Sequence, residues 1–252
     1  MPVLPIDTDQ IVITASRVPE AEAQTAASVT IIDSDEIERL GEPLVTNLLR
    51  LTPSAAITTI GPTGSLTEVR IRGSEANHTL LFVDGIKIND PASGDTPRFE
   101  LLNADLASRI EVVRGPQSAL WGSDAIGGVI AINGLDDAPG YGGSAEGGSF
   151  GFGRASASGS VATGLARLSG AVGWQRATGI DSFGAPGGDK DGYRNLSGRL
   201  RGTFAISPTV HLGASALALT GASQVDGDTL NPPFDHADTL DNSRNRLKAG
   251  RI

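Results

Sequence analysis

The chain has 252 residues, 39% of them hydrophobic, with 33 glycines, 4% aromatic residues, no cysteine and a net charge of −9. That is enough apolar material for a core, and the glycines call for turns and short strands, which excludes a disordered or all-helical protein. The acidic balance argues against nucleic acid, which demands clustered Lys and Arg; the missing cysteines exclude disulfides, thiolate nucleophiles and zinc–thiolate sites.

Met1–Asp7 has no cationic start followed by an apolar run, so no secretory signal is expected there. No run of 18 apolar residues occurs either, which excludes a helical membrane span and leaves a β-barrel span open. From Asp7 to about Asp137 short strands alternate with short helices, an α+β pattern. Val29–Ile32 reads as a strand. Asp33, with Glu36 three residues on, reads as a capping box for a helix that runs to Leu40 and stops at Gly41. A second helix is expected over Pro43–Leu51, ahead of Pro53. Glu68–Arg72 alternates charged and apolar residues. Thr79–Val83 is an apolar strand entering the turn Asp84-Gly85, with Ile86–Ile88 as the return strand. Asn89–Thr96 is built of turn formers and is expected to be a surface loop, the kind of segment that carries recognition. Within Arg109–Ile132, strand Ile110–Val113 is followed by a Gly115-Pro116 turn, one helical turn, a glycine turn and a second strand, with no nucleophile or metal site among them.

Beyond about Pro139 the helix signals stop. Gly142-Gly143 and Gly147-Gly148 read as hairpin turns, followed by segments of barrel-strand length. In Asn195–Ile206 one face collects Leu196, Gly198, Leu200, Gly202, Phe204 and Ile206, and the other Asn195, Ser197, Arg199, Arg201, Thr203 and Ala205. In Ala166–Gln175, Leu168, Val172 and Trp174 oppose Arg167, Ser169 and Gln175. A soluble antiparallel sheet with one wet face gives the same alternation as a membrane barrel. The short link at Ile206-Ser207-Pro208 and the long one at Ala177–Tyr193 favour the barrel, with short turns on one side and long loops on the other. About 115 residues supply only five or six strands, fewer than the eight of the smallest membrane barrels. An unpaired edge in lipid is costly, so a fragment of a longer protein, or the product of a truncated gene, is expected.

Enzyme motifs do not hold up. Gly147-Gly148-Ser149-Phe150-Gly151 has the spacing of a nucleophile elbow but lacks the strand-to-helix setting. Gly115–Gly122 is not followed by Gly-Lys-Ser/Thr, so it is not a phosphate loop. His78, His211 and His236 lack metal-ligand spacing.

Several motifs occur together in one order: Asp7–Arg17, Asn47–Pro53, Ile71-Arg72-Gly73, Val83-Asp84-Gly85, Arg114-Gly115-Pro116 and Gly122–Val129. With them the whole of Asp7–Asp137 resembles the plug of TonB-dependent outer-membrane receptors, and within that family it is most similar to the cobalamin receptors. The resemblance implies an α+β plug domain followed by antiparallel transmembrane β-barrel strands, an incomplete barrel of about 22 strands. It divides the chain into residues 1–18, a terminal segment with the TonB box; residues 19–137, the plug; and residues 138–252, the first five or six barrel strands. It also implies a place in the outer membrane and active transport rather than enzymatic turnover. The partners would be the TonB energy-coupling protein, a cobalamin or siderophore-type ligand and outer-membrane lipid, with no nucleic acid.

Three sets of residues follow from that resemblance. The TonB box would be Ile11, Val12, Ile13, Thr14 and Ala15, an extended β-branched terminal segment that a partner sheet can add as a strand and pull. Ligand contact would fall on the loops Thr59–Ser65 and Asn89–Thr96, at Thr59, Gly61, Thr63, Ser65, Asn89, Asp90, Ser93 and Asp95. A large amide-rich ligand can be held by such small polar groups and backbone. A siderophore receptor is expected to use more Arg and aromatic residues, and here only Arg98 stands nearby. Calcium would be held by Asp181, Asp189, Asp191, Asp226 and Asp238, a carboxylate set suited to a hard cation; no other cofactor is implied. Lys190 splits one pair, and Val225 stands where an aromatic residue is expected; the plainer reading is that Asp is common in turns. The functions left open are transport of cobalamin or a related metal chelate, transport of a ferric siderophore, and a non-transporting plug that acts as an interaction module.

Overall fold

The structure, a computed structural model, describes residues 11–12, 20–21, 25–134, 140–184, 188–207, 209–228 and 235–252. β1 (Ile11–Val12) and β2 (Glu20–Ala21) form a small antiparallel pair. After β3 (Ser28–Ile32), the Asp33 carboxylate accepts the Glu36 amide at 2.9 Å and starts α1 (Ser34–Leu40), which Gly41 ends in the left-handed region. α2 (Val45–Leu49) is shorter than the sequence predicts, because tertiary bonds capture its entry. Leu44 bridges to Asn103, and the Val45 amide donates to Leu102 O at 3.2 Å.

β4 (Ala55–Thr59) pairs with β5 (Thr67–Ile71), and β6 (Thr79–Val83) turns into β7 (Ile86–Lys87). Asp84 and Gly85 both have positive φ, as a two-residue hairpin of mirror-image type needs. The segment expected to be an irregular surface loop is instead a second small hairpin, β8 (Asn89–Asp90) with β9 (Thr96–Pro97), around a 3-10 turn at Pro91–Ser93. Asn89 explains the difference. It is buried, accepts from the Leu81 amide and donates to Thr79 O and Asp95 O, so it splices the hairpin to the main sheet.

β10 (Arg109–Arg114), α3 (Ser118–Trp121) and β11 (Gly128–Asn133) follow, with β10 and β11 antiparallel. The resulting sheet has the order β3-β10-β11-β6-β7, with β11 and β6 parallel. Its central strands are buried on both faces, which their apolar runs Ile110, Val112, Val113 and Val129, Ile130, Ile132 allow.

The second sheet is antiparallel, with its strands in chain order: β12 (Gly140–Gly147), β13 (Gly153–Ala162), β14 (Ala166–Ala177), β15 (Tyr193–Ser207), β16 (Val210–Asp228) and β17 (His236–Arg251). Gly142-Gly143 lies inside β12, not in a turn: β13 offers unbroken pairing from Gly140 to Gly147, and the chain reverses only after it.

The faces of this sheet are inverted relative to a soluble one. Leu168, Val172, Trp174, Leu196, Leu200 and Phe204 are exposed, whereas Ser169, Gln175, Asn195, Ser197 and Arg199 are buried against the first domain. Leu196 is 53% exposed and its neighbour Asn195 2%. A soluble sheet would bury the leucine. Polar side chains make the seam: Asn103 Nδ2 donates to Ser197 Oγ at 2.9 Å, Asn195 Nδ2 to Leu101 O at 3.1 Å and Gln175 Nε2 to Pro43 O at 2.6 Å. Lower down, Arg199 Nη1 donates to Asp84 Oδ2 at 2.9 Å, while Asp84 Oδ1 accepts the Gly134 amide at 3.0 Å. Leu217 and Leu219 add an apolar contact to the first domain's core.

With both partners almost fully buried, breaking the Asp84–Arg199 pair from one side leaves an uncompensated charge. Asp84→Ala is expected to cost about 3–5 kcal/mol in chemical denaturation. Adding Arg199→Met should recover much of that loss, and a single variant as stable as wild type would contradict this role.

Candidate functional site

The long connection between β14 and β15, residues 178–192, emerges at the same end as the β12–β13 turn, since the Thr178 amide donates to Phe150 O at 2.8 Å. Carboxylates gather at this end. Asp189 comes from the connection, Asp226 from a bulge in β16 between Val225 and Gly227, and Asp238 from the start of β17; ligand oxygens of the three lie within 4.8 Å of one another. Asp181 converges on them, because a Cβ on Gly188 would collide with carboxylate oxygens of both Asp181 and Asp238. Glycine at 188 is what lets these groups approach.

Asp191 is 4% exposed. Its Oδ2 accepts the Ser182 amide at 2.8 Å, but its Oδ1 and both oxygens of Asp189 are shielded from solvent without a hydrogen-bond partner. Asp181 Oδ1 accepts from the Gly184 amide and Asp226 Oδ1 from the Thr239 amide, fixing those side chains. The Asp238 carboxylate beside Asp189, together with partial burial and the charges of Asp191 and Asp226, holds the Asp189 carboxyl above the ordinary range. Oxygens left without a partner in a negative cluster fit a cation: it would satisfy them and remove the repulsion. Lys190 is exposed and lines a groove on the far face with Trp174 and Arg176, so it does not enter the cluster. Val225 is half-buried, in register with Asp241.

The Thr59–Ser65 loop sits beside this end of the sheet. Ser223 Oγ donates to Gly64 O at 3.1 Å, and a side chain at Gly64 would press on Tyr193 and Ser223. Thr59, Gly61 and Thr63 are exposed there, and Thr59 Oγ1 lies 3.2 Å from Thr67 Oγ1. Ser65 is buried and Asn89 is committed to the hairpin described above, so neither is on the surface the sequence assigned it. Asp90 caps Ala92 and faces Arg98 at 3.4 Å, Ser93 Oγ donates to Asp90 O, and Asp95 pairs with Lys87. Arg98 also reaches Glu100, whose carbonyl faces Asn195, so this arginine is tied into the seam. Of the terminal segment, Ile11 and Val12 are in β1, while Ile13, Thr14 and Ala15 lie outside the described residues. The serine of the elbow-like motif sits in the turn between β12 and β13, with no helix after it.

The sequence pattern placed Asn195, Ser197 and Arg199 on a wet face but did not show that they grip the first domain. Their partners, Leu101 O, Asn103 Nδ2 and Asp84 respectively, are about a hundred residues away in the chain, and no local signal pairs them.

Residues 21–129 match the family described as TonB-dependent Receptor Plug Domain. Over 124 residues the chain is 39% identical to the vitamin B12 transporter BtuB of Vibrio vulnificus, an alignment covering 49% of this chain and 20% of that protein. The chain thus spans about one fifth of that curated relative. Among solved structures, the ferripyoverdine receptor of the outer membrane of Pseudomonas aeruginosa superposes with a TM-score of 0.68 at 17% identity, over 91% of this chain and 30% of the receptor. The siderophore receptor PiuA of Acinetobacter baumannii gives 0.65 at 20% identity, over 88% and 30%. At these identities the structures establish the fold: a plug packed against the strands of a barrel wall.

Asp189 holds its proton more tightly in the fold than in the unfolded chain. Its contribution therefore favours folding fully below the ordinary carboxylate range and is lost as the pH rises through its raised pKa. In chelator, the thermal midpoint is expected to fall as the pH climbs from about 4, and Asp189→Asn should flatten that slope. An equal slope in the two proteins would contradict the arrangement.

Proposed function

We propose that this chain, whose residues 21–129 are a TonB-dependent receptor plug domain, is the plug and adjoining wall of an outer-membrane active transporter for cobalamin or a related metal chelate. The observation that carries the reading is the inverted sheet, with leucines outward and a polar face clasping the plug. Such a surface is stable in lipid and not in water. Ligand contact falls on Thr59, Gly61 and Thr63, with Asp90, Ser93 and Asp95 on the neighbouring hairpin. These are small polar groups and backbone without catalytic capacity, suited to an amide-rich ligand. The 39% identical relative, a vitamin B12 transporter, supports cobalamin over other chelates.

Ile11–Ala15 is the handle for the energy-coupling protein. Among the described residues β1 pairs with a two-residue strand, a partner that an incoming sheet edge can replace. Ligand occupancy shifts the terminal segment toward release, and external work then remodels the plug. Calcium is the cation for the carboxylate cluster: Asp181, Asp189, Asp191, Asp226 and Asp238 offer the hard oxygens it prefers, and closing around it would join the 178–192 connection to β16 and β17. Its role there is structural, setting the outer loops in place.

In the full-length receptor that contains this chain, deleting residues 11–15 is expected to abolish cellular uptake of radiolabelled cyanocobalamin while leaving equilibrium binding at the cell surface intact; retained uptake would overturn the assignment. Calcium at about a hundred times its dissociation constant should stabilise the protein by about 2.7 kcal/mol, read as a rise in thermal midpoint that chelator reverses. Asp189→Asn with Asp238→Asn should lose that response, and a response of wild-type size would place the ion elsewhere.

A further inference from the structure

β11 closes on Asn133 and Gly134 follows it; no other asparagine in the chain precedes a glycine. Neither ligand capture, coupling nor the carboxylate cluster uses this pair. An Asn-Gly step is chemically reactive, because glycine puts no Cβ in the way when its amide nitrogen folds back on the asparagine side chain. A bond forms from Gly134 N to Asn133 Cγ, the Cγ–Nδ2 bond breaks, the amide proton passes to the leaving nitrogen and ammonia departs. Water then opens the succinimide at one of its two carbonyls and leaves aspartate or isoaspartate. Water is the only co-reactant the step needs.

The docked structure holds this chemistry off. The attacking nitrogen is engaged, since the buried Gly134 N–H donates to Asp84 Oδ1 at 3.0 Å. Asn133 O accepts from the Ser108 amide at 2.9 Å and from Ser108 Oγ at 3.2 Å, which fixes the peptide group that would have to rotate. Strand register, with Asn133 opposite Arg109, keeps Asn133 extended rather than turned back as attack requires. The Arg199 guanidinium lies over Gly134, so close that a Cβ there would overlap it. Asp84 and Ser108 belong to the plug, but Arg199 belongs to the wall, and it is Arg199 that holds the Asp84 carboxylate in place at 2.9 Å. Without the wall, Asp84 is open to water, the Gly134 amide exchanges a fixed acceptor for a mobile one, and the cover over Gly134 is gone.

We propose that Asn133-Gly134 is a deamidation site guarded by docking: closed while Asp84 and Arg199 hold Gly134, and open once the plug leaves the wall. Isoaspartate puts an extra carbon into the backbone at the end of β11 and a new carboxylate close to that of Asp84. Either change keeps the strand end from remaking its bonds to Asp84 and Ser108, so a plug that lingers undocked is retired chemically. The inference stands on the seam between the two sheets and is independent of which ligand the protein carries.

The full chain in detergent micelles is kept warm at mildly alkaline pH, and the tryptic peptide 115–154, in which Asn133 is the only asparagine, is followed by mass spectrometry for amide-to-acid conversion. Opening breaks three hydrogen bonds, so folded wild type should convert about a hundredfold more slowly than the same chain in urea. Asp84→Ala should convert about tenfold faster than folded wild type. Asp84→Ala with Arg199→Met removes the buried charge yet still offers the Gly134 amide no carboxylate, so it separates a lost guard from a lost fold: with its unfolding transition retained, it should stay about tenfold faster than wild type. Folded wild type converting as fast as the chain in urea, or the folded double variant converting as slowly as wild type, overturns the guarded site, and conversion that persists in Asn133→Gln places the reaction elsewhere. Converted chains, more acidic and separable by anion exchange, should unfold at a lower temperature than unconverted ones; equal midpoints would overturn the retirement of the modified plug.

Discussion

The buried pair between Asp84 and Arg199 sets the constraint on which the rest of the arrangement depends. Asp84 occupies a left-handed turn position and uses both carboxylate oxygens, one for the Gly134 amide at the end of β11 and one for Arg199 in the middle of β15. A single side chain thus ties the tight turn, the last plug strand and the barrel wall to one point. Glycine at 134 is required for it, because a Cβ there would overlap the Arg199 guanidinium. An arginine buried to this extent is tolerable only with its charge balanced, so plug and wall are matched by charge as well as by shape.

From that point the seam runs upward through Ser197, Asn195 and Gln175 to Tyr193 and Ser223, where the Gly64 loop rests and the carboxylate cluster begins. The seam is made largely of hydrogen bonds. A greasy interface would hold the plug by an area term that falls only when the surfaces part, whereas polar contacts can be exchanged for water one at a time. The apolar contact that does exist centres on Leu217 and Leu219 of β16, with Ala171 of β14 and Leu247 and Ala249 of β17 packed against the same core.

Much of the plug was legible in the sequence because its signals are local. Asp33 and Gly41 bracket α1, Asp84-Gly85 dictates a hairpin, and the apolar runs of β10 and β11 place them at the sheet's centre. The barrel strands were legible in their alternation, but two-residue periodicity gives no direction, and only packing reveals that Asn195 points inward and Leu196 outward. The Asn89 segment was misread because its turn-forming composition is real, yet one buried amide converts the loop into a hairpin fixed to β6. For the site, the five aspartates came from resemblance, and the convergence of Asp189, Asp226 and Asp238, with Asp181 beside them, depends on the β16 bulge and on Gly188, neither of which sequence spacing encodes.

The central claim is that the leucine face of the second sheet meets lipid while its polar face meets the plug. The chain contains no cysteine, so single cysteines can be introduced without background. Spin labels placed one at a time along residues 195–204, in the membrane-inserted protein, report accessibility to oxygen, which partitions into lipid, and to a water-soluble nickel chelate. Labels at 196, 200 and 204 should be open to oxygen and closed to nickel, and labels at 195, 197 and 199 closed to both. High nickel access at 196, 200 and 204, or no alternation along the strand, would contradict the account.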